Sequence, residues 1–407
     1  MSLGPTASKE ASILLKRGSP TFFPAFGRVR ERELELMRGL GVRAWAQPVI
    51  VPVPDVPGTL LDVPTTRVLL PCTECNGRHP DKRPAGHGDL GYPFGSAPYR
   101  VSGGALSADL MDDYVSAVLG VQAERGASLL LTPAHFVGRI GSVGRRNDLD
   151  MAAISRRVAL RDGLDQPDAA DPWSLRRPLF AYALIPIGAL SGPAGEELLA
   201  AYAGLDVDGC WIGIDAFDER SSTEDLYAAA CWLFELERRR DQPVVSYGAG
   251  NLHLAFLLEG LAGASVRVDA RPLLPWPRAA TRRPRRRRVF HPVVLAEVYN
   301  DRRGVAERTH AEMLFATHEC DCGQHEAGVP PAAGEQTVGH TLVCRMRLAQ
   351  RAAQGGLGER VAHFAHVLSD ATQVARCLDL SEVDLSGWDA VQTAARWVRR
   401  RADRATG

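Results

Sequence analysis

Short apolar, often β-branched runs alternate along this chain with longer stretches in which apolar residues return every three or four positions. The runs at residues 21–26, 43–53, 67–70, 128–132, 179–186, 209–214, 243–246 and 265–268 predict strands, and the stretches at 31–40, 107–123, 194–203, 223–240 and 251–261 predict helices. Strand, helix, strand in repetition predicts a parallel sheet, because parallel neighbours need a crossover and a helix supplies it. Seven or eight such units within about 270 residues fit a closed (β/α)8 barrel, a TIM barrel, better than an open sheet. Residues 72–104, rich in Gly, Pro and His, and residues 271–292, overloaded with Pro and Arg, break the rhythm. Both follow predicted strands, so both are expected at the C-terminal rim, where barrel enzymes place their chemistry. Beyond Glu319 the chain changes character, with helical patterns at 341–353, 359–377 and 388–402. The expected organisation is an α/β TIM-barrel domain over residues 1–310 and a zinc-binding helical subdomain over 311–407.

The change begins at Cys320-Asp321-Cys322-Gly323-Gln324-His325, and His340 follows fifteen residues later. Zinc takes four thiolate or imidazole ligands in a tetrahedron, and this run supplies them. The expected ligands are Cys320, Cys322, His325 and His340. His318 and Cys344 are substitutes for His325, and Cys344 stands one helical turn past His340. Four protein ligands make the zinc structural. A second pair, Cys72 and Cys75, has His79 and His87 nearby. It reads as a second metal site, a redox pair or two loop cysteines. Cys210, Cys231 and Cys377 fall in apolar patterns and are expected in the core.

At 407 residues and 45% hydrophobic, the chain can bury a large core in one or two domains. Net charge is zero, so the whole-chain field selects no partner. The distribution is more informative: only three of the 48 basic residues are lysines, and ten arginines lie between Arg271 and Arg303. Guanidinium groups suit phosphate. Arg285 and Arg286 are expected to neutralise nucleic-acid phosphates, with Trp276 and His291 placed to stack on bases; the plain alternative is a loop without a ligand. Eight cysteines in this length exclude a secreted disulfide framework. No apolar run approaches 18 residues, so no membrane helix is expected, and the N-terminus lacks an apolar signal core. The expected location is cytoplasmic.

Four segments carry a resemblance when taken in order. They are Ser19-Pro20-Thr21-Phe22-Phe23-Pro24-Ala25-Phe26-Gly27; Gly209-Cys210-Trp211-Ile212-Gly213 with Glu219 beyond; Ser246-Tyr247-Gly248-Ala249-Gly250, a helix and Val266-Arg267-Val268-Asp269; and the metal run. Together they resemble the tRNA-guanine transglycosylase superfamily, the queuine and archaeosine tRNA-ribosyltransferases with their DNA-modifying branch. The resemblance spans most of the chain. It implies a TIM barrel, a structural zinc, tRNA or DNA as substrate, and exchange of guanine for a 7-deazaguanine-type base. It also implies a dimer, of like or unlike subunits. Asp269 stands in the nucleophile's place, one or two residues later than a gapless match would put it. Tyr247, Gly248 and Gly250 match the glycine-rich turn at the substrate, and His325 stands where the family has its third cysteine.

Base exchange needs a carboxylate that can attack C1′ and a second group to carry protons at the departing base. Asp269, ending a predicted strand, is the candidate nucleophile; its plain reading is a solvated aspartate paired with Arg267 or Arg271. Glu74, Asp89, His135, Asp215 and Asp218 are the candidates for proton transfer, with Glu74 and Asp215 preferred. Several family positions differ. Its Asp-Ser-Gly-Gly-Phe-Gln segment falls at Leu70-Pro71-Cys72-Thr73-Glu74-Cys75-Asn76. Its base-reading aspartate falls near Thr132-Pro133-Ala134-His135, its Gln-Gly near Ile187-Gly188, and its second glycine-rich segment at Gly213–Asp218. The base pocket is therefore expected to be rebuilt, with His135 among its lining residues. The alternatives are a catalytically inactive paralogue that binds nucleic acid or a partner subunit, and an unrelated barrel enzyme acting on a small molecule.

Overall fold

Five parallel strands lie side by side in the order in which the chain makes them. The computed structural model describes residues 2–3, 23–24, 107–124, 129–134, 142–166, 177–215, 221–247, 252–265, 288–300, 309–332, 336–337, 340–341, 343–345, 347–348, 356–380 and 383–406. Near the N-terminus β1 (Ser2–Leu3) pairs in parallel with β2 (Phe23–Pro24). The main sheet then builds through α1 (Ala108–Glu124), β3 (Leu130–Leu131), α2 (Ser142–Arg161), β4 (Leu179–Pro186), α3 (Gly192–Ala203), β5 (Gly209–Asp215), α4 (Thr223–Arg240), β6 (Val244–Tyr247), α5 (Leu252–Leu258) and β7 (Gly263–Ser265). Helix-linked parallel strands are what the alternating pattern predicts. β4 and α4 have the expected limits; β7 begins two residues before the expected strand, and α2 is additional to the helices expected. The strands expected at 43–53 and 67–70 and the helix expected at 31–40 lie outside the described residues.

The sheet is buried on both faces, as parallel sheets are. Along β4, Leu179, Phe180, Ala181, Ala183 and Ile185 are all fully buried, and so are Cys210, Trp211 and Ile212 on β5. Phe180 pairs with Gly209, and Trp211 with Val245. A Cβ at Gly209 would lie 2.6 Å from the Phe180 ring and 2.7 Å from the Pro243 carbonyl, so only glycine lets that ring cross β5. On β3 the side-chain amide of Gln122 takes both outward main-chain groups of Leu131: its Oε1 accepts from Leu131 N at 2.8 Å and its Nε2 donates to Leu131 O at 2.8 Å. At that residue a side chain, not a further strand, satisfies the edge.

Charged groups lock the helices at the end of the sheet where the strands begin. Arg240, closing α4, donates to the carbonyls of Tyr202 (2.6 Å), Leu205 (3.1 Å) and Val207 (2.7 Å), which satisfies the end of α3. Helix α4 starts at Ser222, whose hydroxyl accepts from Asp225 N, and carries Glu224 and Asp225 in its first turn and three arginines in its last, matching its dipole. Helix α5 ends in a Schellman motif: Leu261 N donates to Phe256 O at 2.9 Å and Gly260 N to Leu257 O at 3.1 Å. Gly260 has φ +105°, and a Cβ there would lie 2.4 Å from Leu357 Cδ1.

After β7 an antiparallel hairpin, β8 (Arg288–His291) and β9 (Ala296–Tyr299), precedes α6 (His310–Thr317). The rim loop expected over 271–292 therefore ends earlier: residues 288–291 are a strand whose Val289, Phe290 and His291 are buried in the core. The last helices are α7 (Leu357–Cys377) and α8 (Ser386–Thr406). Helix α8 packs chiefly along α4 and α5, and α7 packs on α5. Arg399 of α8 anchors this layer, donating to the buried Glu259 carboxylate at 2.5 Å and to its carbonyl at 2.9 Å. No described helix is long and apolar enough to cross a membrane.

Candidate metal centre

Helix α6 begins with a capping box. Thr309 Oγ1 accepts from Glu312 N at 3.0 Å, and the Glu312 carboxylate accepts from Thr309 N at 2.6 Å. The helix stops at His318, which turns extended and delivers Cys320 and Cys322 into the interior. Residues 340–341, 343–345 and 347–348 are helical and bring His340 and Cys344 from the other side, one turn apart. Arg347 clamps the two pieces, its guanidinium 2.5 Å from the Asp321 carboxylate.

The ligand atoms of Cys320, Cys322, His325 and His340 all lie within 4.8 Å of one another. His340 Nδ1 is the hub, 3.3 Å from Cys322 Sγ, 3.7 Å from Cys320 Sγ and 3.0 Å from His325 Nε2. Its other nitrogen, Nε2, donates to the Phe290 carbonyl on β8 at 2.5 Å. That bond occupies Nε2 and turns Nδ1 toward the thiols, as in histidine ligands oriented by a carbonyl. Cys344 Sγ adjoins the group, 3.5 Å from Cys320 Sγ and 3.7 Å from His340 Nδ1. Soft thiolates and imidazoles at these separations suit zinc, and a cation would offset the repulsion of lone pairs aimed at one point.

The surroundings are largely buried and aromatic. Phe315 of α6 sits among three imidazoles, its ring centre 4.5 Å from that of His291, 5.2 Å from His325 and 5.4 Å from His340. Arg345 is fully buried, with its guanidinium 5.0 Å from the Phe290 ring centre and 3.6 Å from the Glu297 carboxylate. Hydrogen bonds from Cys320 and Cys344 favour the thiolate of Cys322, while contacts with Cys320 and Cys322, together with burial, hold Cys344 as a thiol. Burial disfavours the His340 cation, but hydrogen bonds to Cys320, Cys322 and the Phe290 carbonyl outweigh it and raise His340 to about 9. The protons shared here are those a bound cation would displace.

His291 was expected to stack on bases. It is instead fully buried: its Nε2 donates to the His318 carbonyl at 3.1 Å and its Nδ1 accepts from Val293 N. Burial pushes it down to about 3, so it stays neutral. Cys210 is buried as expected and Cys231 partly so, but Cys377 is exposed at the end of α7, on the polar side of that helix. His318 contributes its carbonyl, to His291.

Among the expected catalytic and substrate residues, Asp215 ends β5, in register with Pro186, and Tyr247 ends β6, in register with Gly213 and Ser265. Both are thus at the C-terminal edge of the sheet. Glu74, Asp89, His135, Asp218, Gly248, Gly250, Asp269, Trp276, Arg285 and Arg286 lie outside the described residues, as do Cys72 and Cys75. Thr132, near where the family's base-reading aspartate falls, is buried and its hydroxyl accepts from Tyr182 N at 3.0 Å. Cys344, expected as a substitute ligand, adjoins the group as its spacing of four from His340 implies. Two further parts had no place in the expected ligand set: the Phe290 carbonyl, from a distant hairpin, and the Phe315 ring, from the helix just before Cys320. Compared with models of protein families, with curated proteins and with solved structures, the chain matches none.

Proposed function

We propose that this chain is a divergent transglycosylase-like enzyme, a (β/α)8 barrel with a structural zinc, that exchanges a base at a guanine site in tRNA or DNA. The observation that carries the reading is the buried Cys320, Cys322, His340 cluster placed after a parallel sheet whose strands follow chain order. Barrel closure requires that order; a preceding strand would have to meet β3 beyond Leu131, whose edge Gln122 occupies. Asp215 and Tyr247 end neighbouring strands at the edge where barrel enzymes work. Asp269 follows Ser265, the last residue of β7, by four positions.

In this reading the Asp269 carboxylate attacks C1′ and the bond from C1′ to the guanine nitrogen breaks. The electron pair leaves with the base, which takes a proton from Glu74 or Asp215. A nitrogen of the incoming 7-deazaguanine-type base then attacks C1′ and gives its proton back to that same carboxylate, and the aspartate ester bond breaks to restore the Asp269 carboxylate. Arg285 and Arg286 neutralise phosphates beside the site. The Cys and His cluster would hold zinc in a structural role, tying the segment after α6 to the helical residues from 340 onward. The reading includes a dimer and a cytoplasmic location.

A second reading is a catalytically inactive paralogue that binds nucleic acid or a partner subunit. It is favoured by Thr132, whose hydroxyl is engaged by the Tyr182 main chain near the family's base-reading position. Denaturing mass spectrometry after incubation with tRNA or duplex DNA separates the two. A covalent nucleic-acid adduct lost in Asp269→Asn supports the enzyme. Salt-dependent binding with no adduct on either substrate supports the paralogue.

A further inference from the structure

Helix α8 leaves one face to solvent, and that face is basic. Its Val391, Ala394, Ala395 and Val398 are buried, and the helix lies along α4 and α5. Arg396, Trp397, Arg400, Arg401 and Arg404 are exposed. Arg396, Arg400 and Arg404 recur every fourth residue, so they line one side of the helix about 6 Å apart, with Trp397 and Arg401 in a second row beside them. We infer that this face is a nucleic-acid contact of its own, which takes the phosphates and an unpaired base of an RNA loop.

The charge on the face is not spent inside the chain. Arg157 and Arg161 of α2 are taken by Asp112, and Arg238 and Arg239 of α4 by Glu235. Arg399 of α8 is taken by Glu259. Among the described residues no carboxylate forms an ion pair with Arg396, Arg400, Arg401 or Arg404. Residues 391–406 hold five arginines and a single acid, Asp403. The helix dipole accounts for a cation in the last turn, where Arg404 stands, but not for Arg396 and Arg400 further back. Guanidinium groups in a row suit a chain of phosphates.

Trp397 narrows the ligand. It is 44% exposed, and the Arg401 guanidinium lies 5.4 Å from its ring centre. An indole and a guanidinium offer flat surfaces on which an unstacked base can lie. Duplex bases are already stacked on one another, so a loop fits the face better than a duplex does. A protein partner would need an apolar centre to bury, and Trp397 is the one exposed large apolar side chain among the described residues of α8. A membrane surface would need the apolar side of the helix, which is buried in the core.

The face stands away from the edge where Asp215 and Tyr247 end their strands. Gly387, at the start of α8, packs beside Leu226 and Leu252 in the first turns of α4 and α5. Arg399 reaches Glu259, just past the end of α5. Helix α8 therefore runs the same way as α4 and α5, and its arginines lie at the end of the sheet where the strands begin. An RNA held here touches a different surface from one that reaches the strand ends, so the inference does not rest on the base exchange proposed above.

The test is binding of an unmodified tRNA transcript to the full-length protein, read by fluorescence anisotropy at several salt concentrations. Wild type is compared with Arg400→Ala/Arg404→Ala, Trp397→Ala and Arg285→Ala/Arg286→Ala. The Arg400 and Arg404 double variant should lower the slope of log K against log salt by about 1.5. Trp397→Ala should weaken tRNA binding about tenfold while leaving the slope, and the binding of duplex DNA, unchanged. These three side chains are exposed, so melting temperatures should not move. A loss confined to Arg285→Ala/Arg286→Ala puts the RNA elsewhere and overturns this face without touching the exchange reading. Absence of tRNA binding to wild type at low salt overturns it, as does equal weakening on duplex DNA in Trp397→Ala. A wild-type oligomer that dissociates in either α8 variant would assign the face to a second copy of the chain, and retention on anionic vesicles lost in the double variant would assign it to a membrane; both overturn the inference.

Discussion

His340 Nε2 donates to the main-chain carbonyl of Phe290 at 2.5 Å, across fifty residues of chain. The bond turns the Nδ1 of His340 toward Cys320 and Cys322 and joins the β8–β9 hairpin to the metal centre. The centre therefore ties together three segments: the hairpin, the turn after α6 and the helical residues from 340.

A metal bound by Cys320, Cys322, His325 and His340 would hold all three segments, so its removal should loosen them together. Apparent zinc-binding free energies in small structural sites reach about 10 kcal/mol, the scale of a whole domain's stability. A strong chelator should lower the melting temperature of the full-length protein, and added zinc should restore it. Cys322→Ser should already melt low and ignore the chelator. An unchanged melting curve in chelator would remove the structural role.

Glu237 predicts a dependence of stability on pH. Burial outweighs the hydrogen bonds from Ala262 N and Val244 N and raises its carboxyl from 4.5 to about 8. The folded chain then keeps a proton that the unfolded chain releases, so stability falls as pH rises between those two values. Each unit of the rise corresponds to about 1.4 kcal/mol. Urea unfolding at pH 5 and pH 8 should show the loss in wild type and a smaller one in Glu237→Gln. Equal losses in both would mean that other groups set the dependence.

Gly260→Ala should destabilise by about 1–3 kcal/mol, because it combines a strained backbone with a clash. The backbone there has φ +105° and Leu357 Cδ1 stands where the methyl would go. Adding Leu357→Ala should recover less than half of the loss, since it relieves the clash and leaves the backbone strain. Full recovery in the double variant, measured by denaturant midpoint, would show that φ carries no penalty.

If the arginines before β8 contact nucleic acid, replacing Arg285 and Arg286 with alanine should flatten the salt dependence of tRNA or DNA binding. The slope of log K against log salt should fall by about 2, roughly one for each phosphate no longer neutralised. A titration at several salt concentrations gives the slope, and an unchanged slope would place the interaction elsewhere.

Local signals were enough for part of this protein. Residues 179–186 and 223–240 could be read at their true limits because an unbroken apolar strand and a capped, dipole-matched helix depend on near neighbours. The Cys and His spacing announced the cluster that could hold a metal for the same reason. Tertiary structure alone decided the rest. The carbonyl that orients His340 carries no signal in the sequence, since every residue has one, and only folding brings Phe290 to it. His291 looked like a surface ring beside a basic run, yet the hairpin turns it into the interior, where two main-chain groups fix the ring and burial keeps it neutral. The path of α8 back along α4 and α5 depends on which apolar faces remain uncovered once the sheet has formed, a property of the assembled layers and not of any one segment.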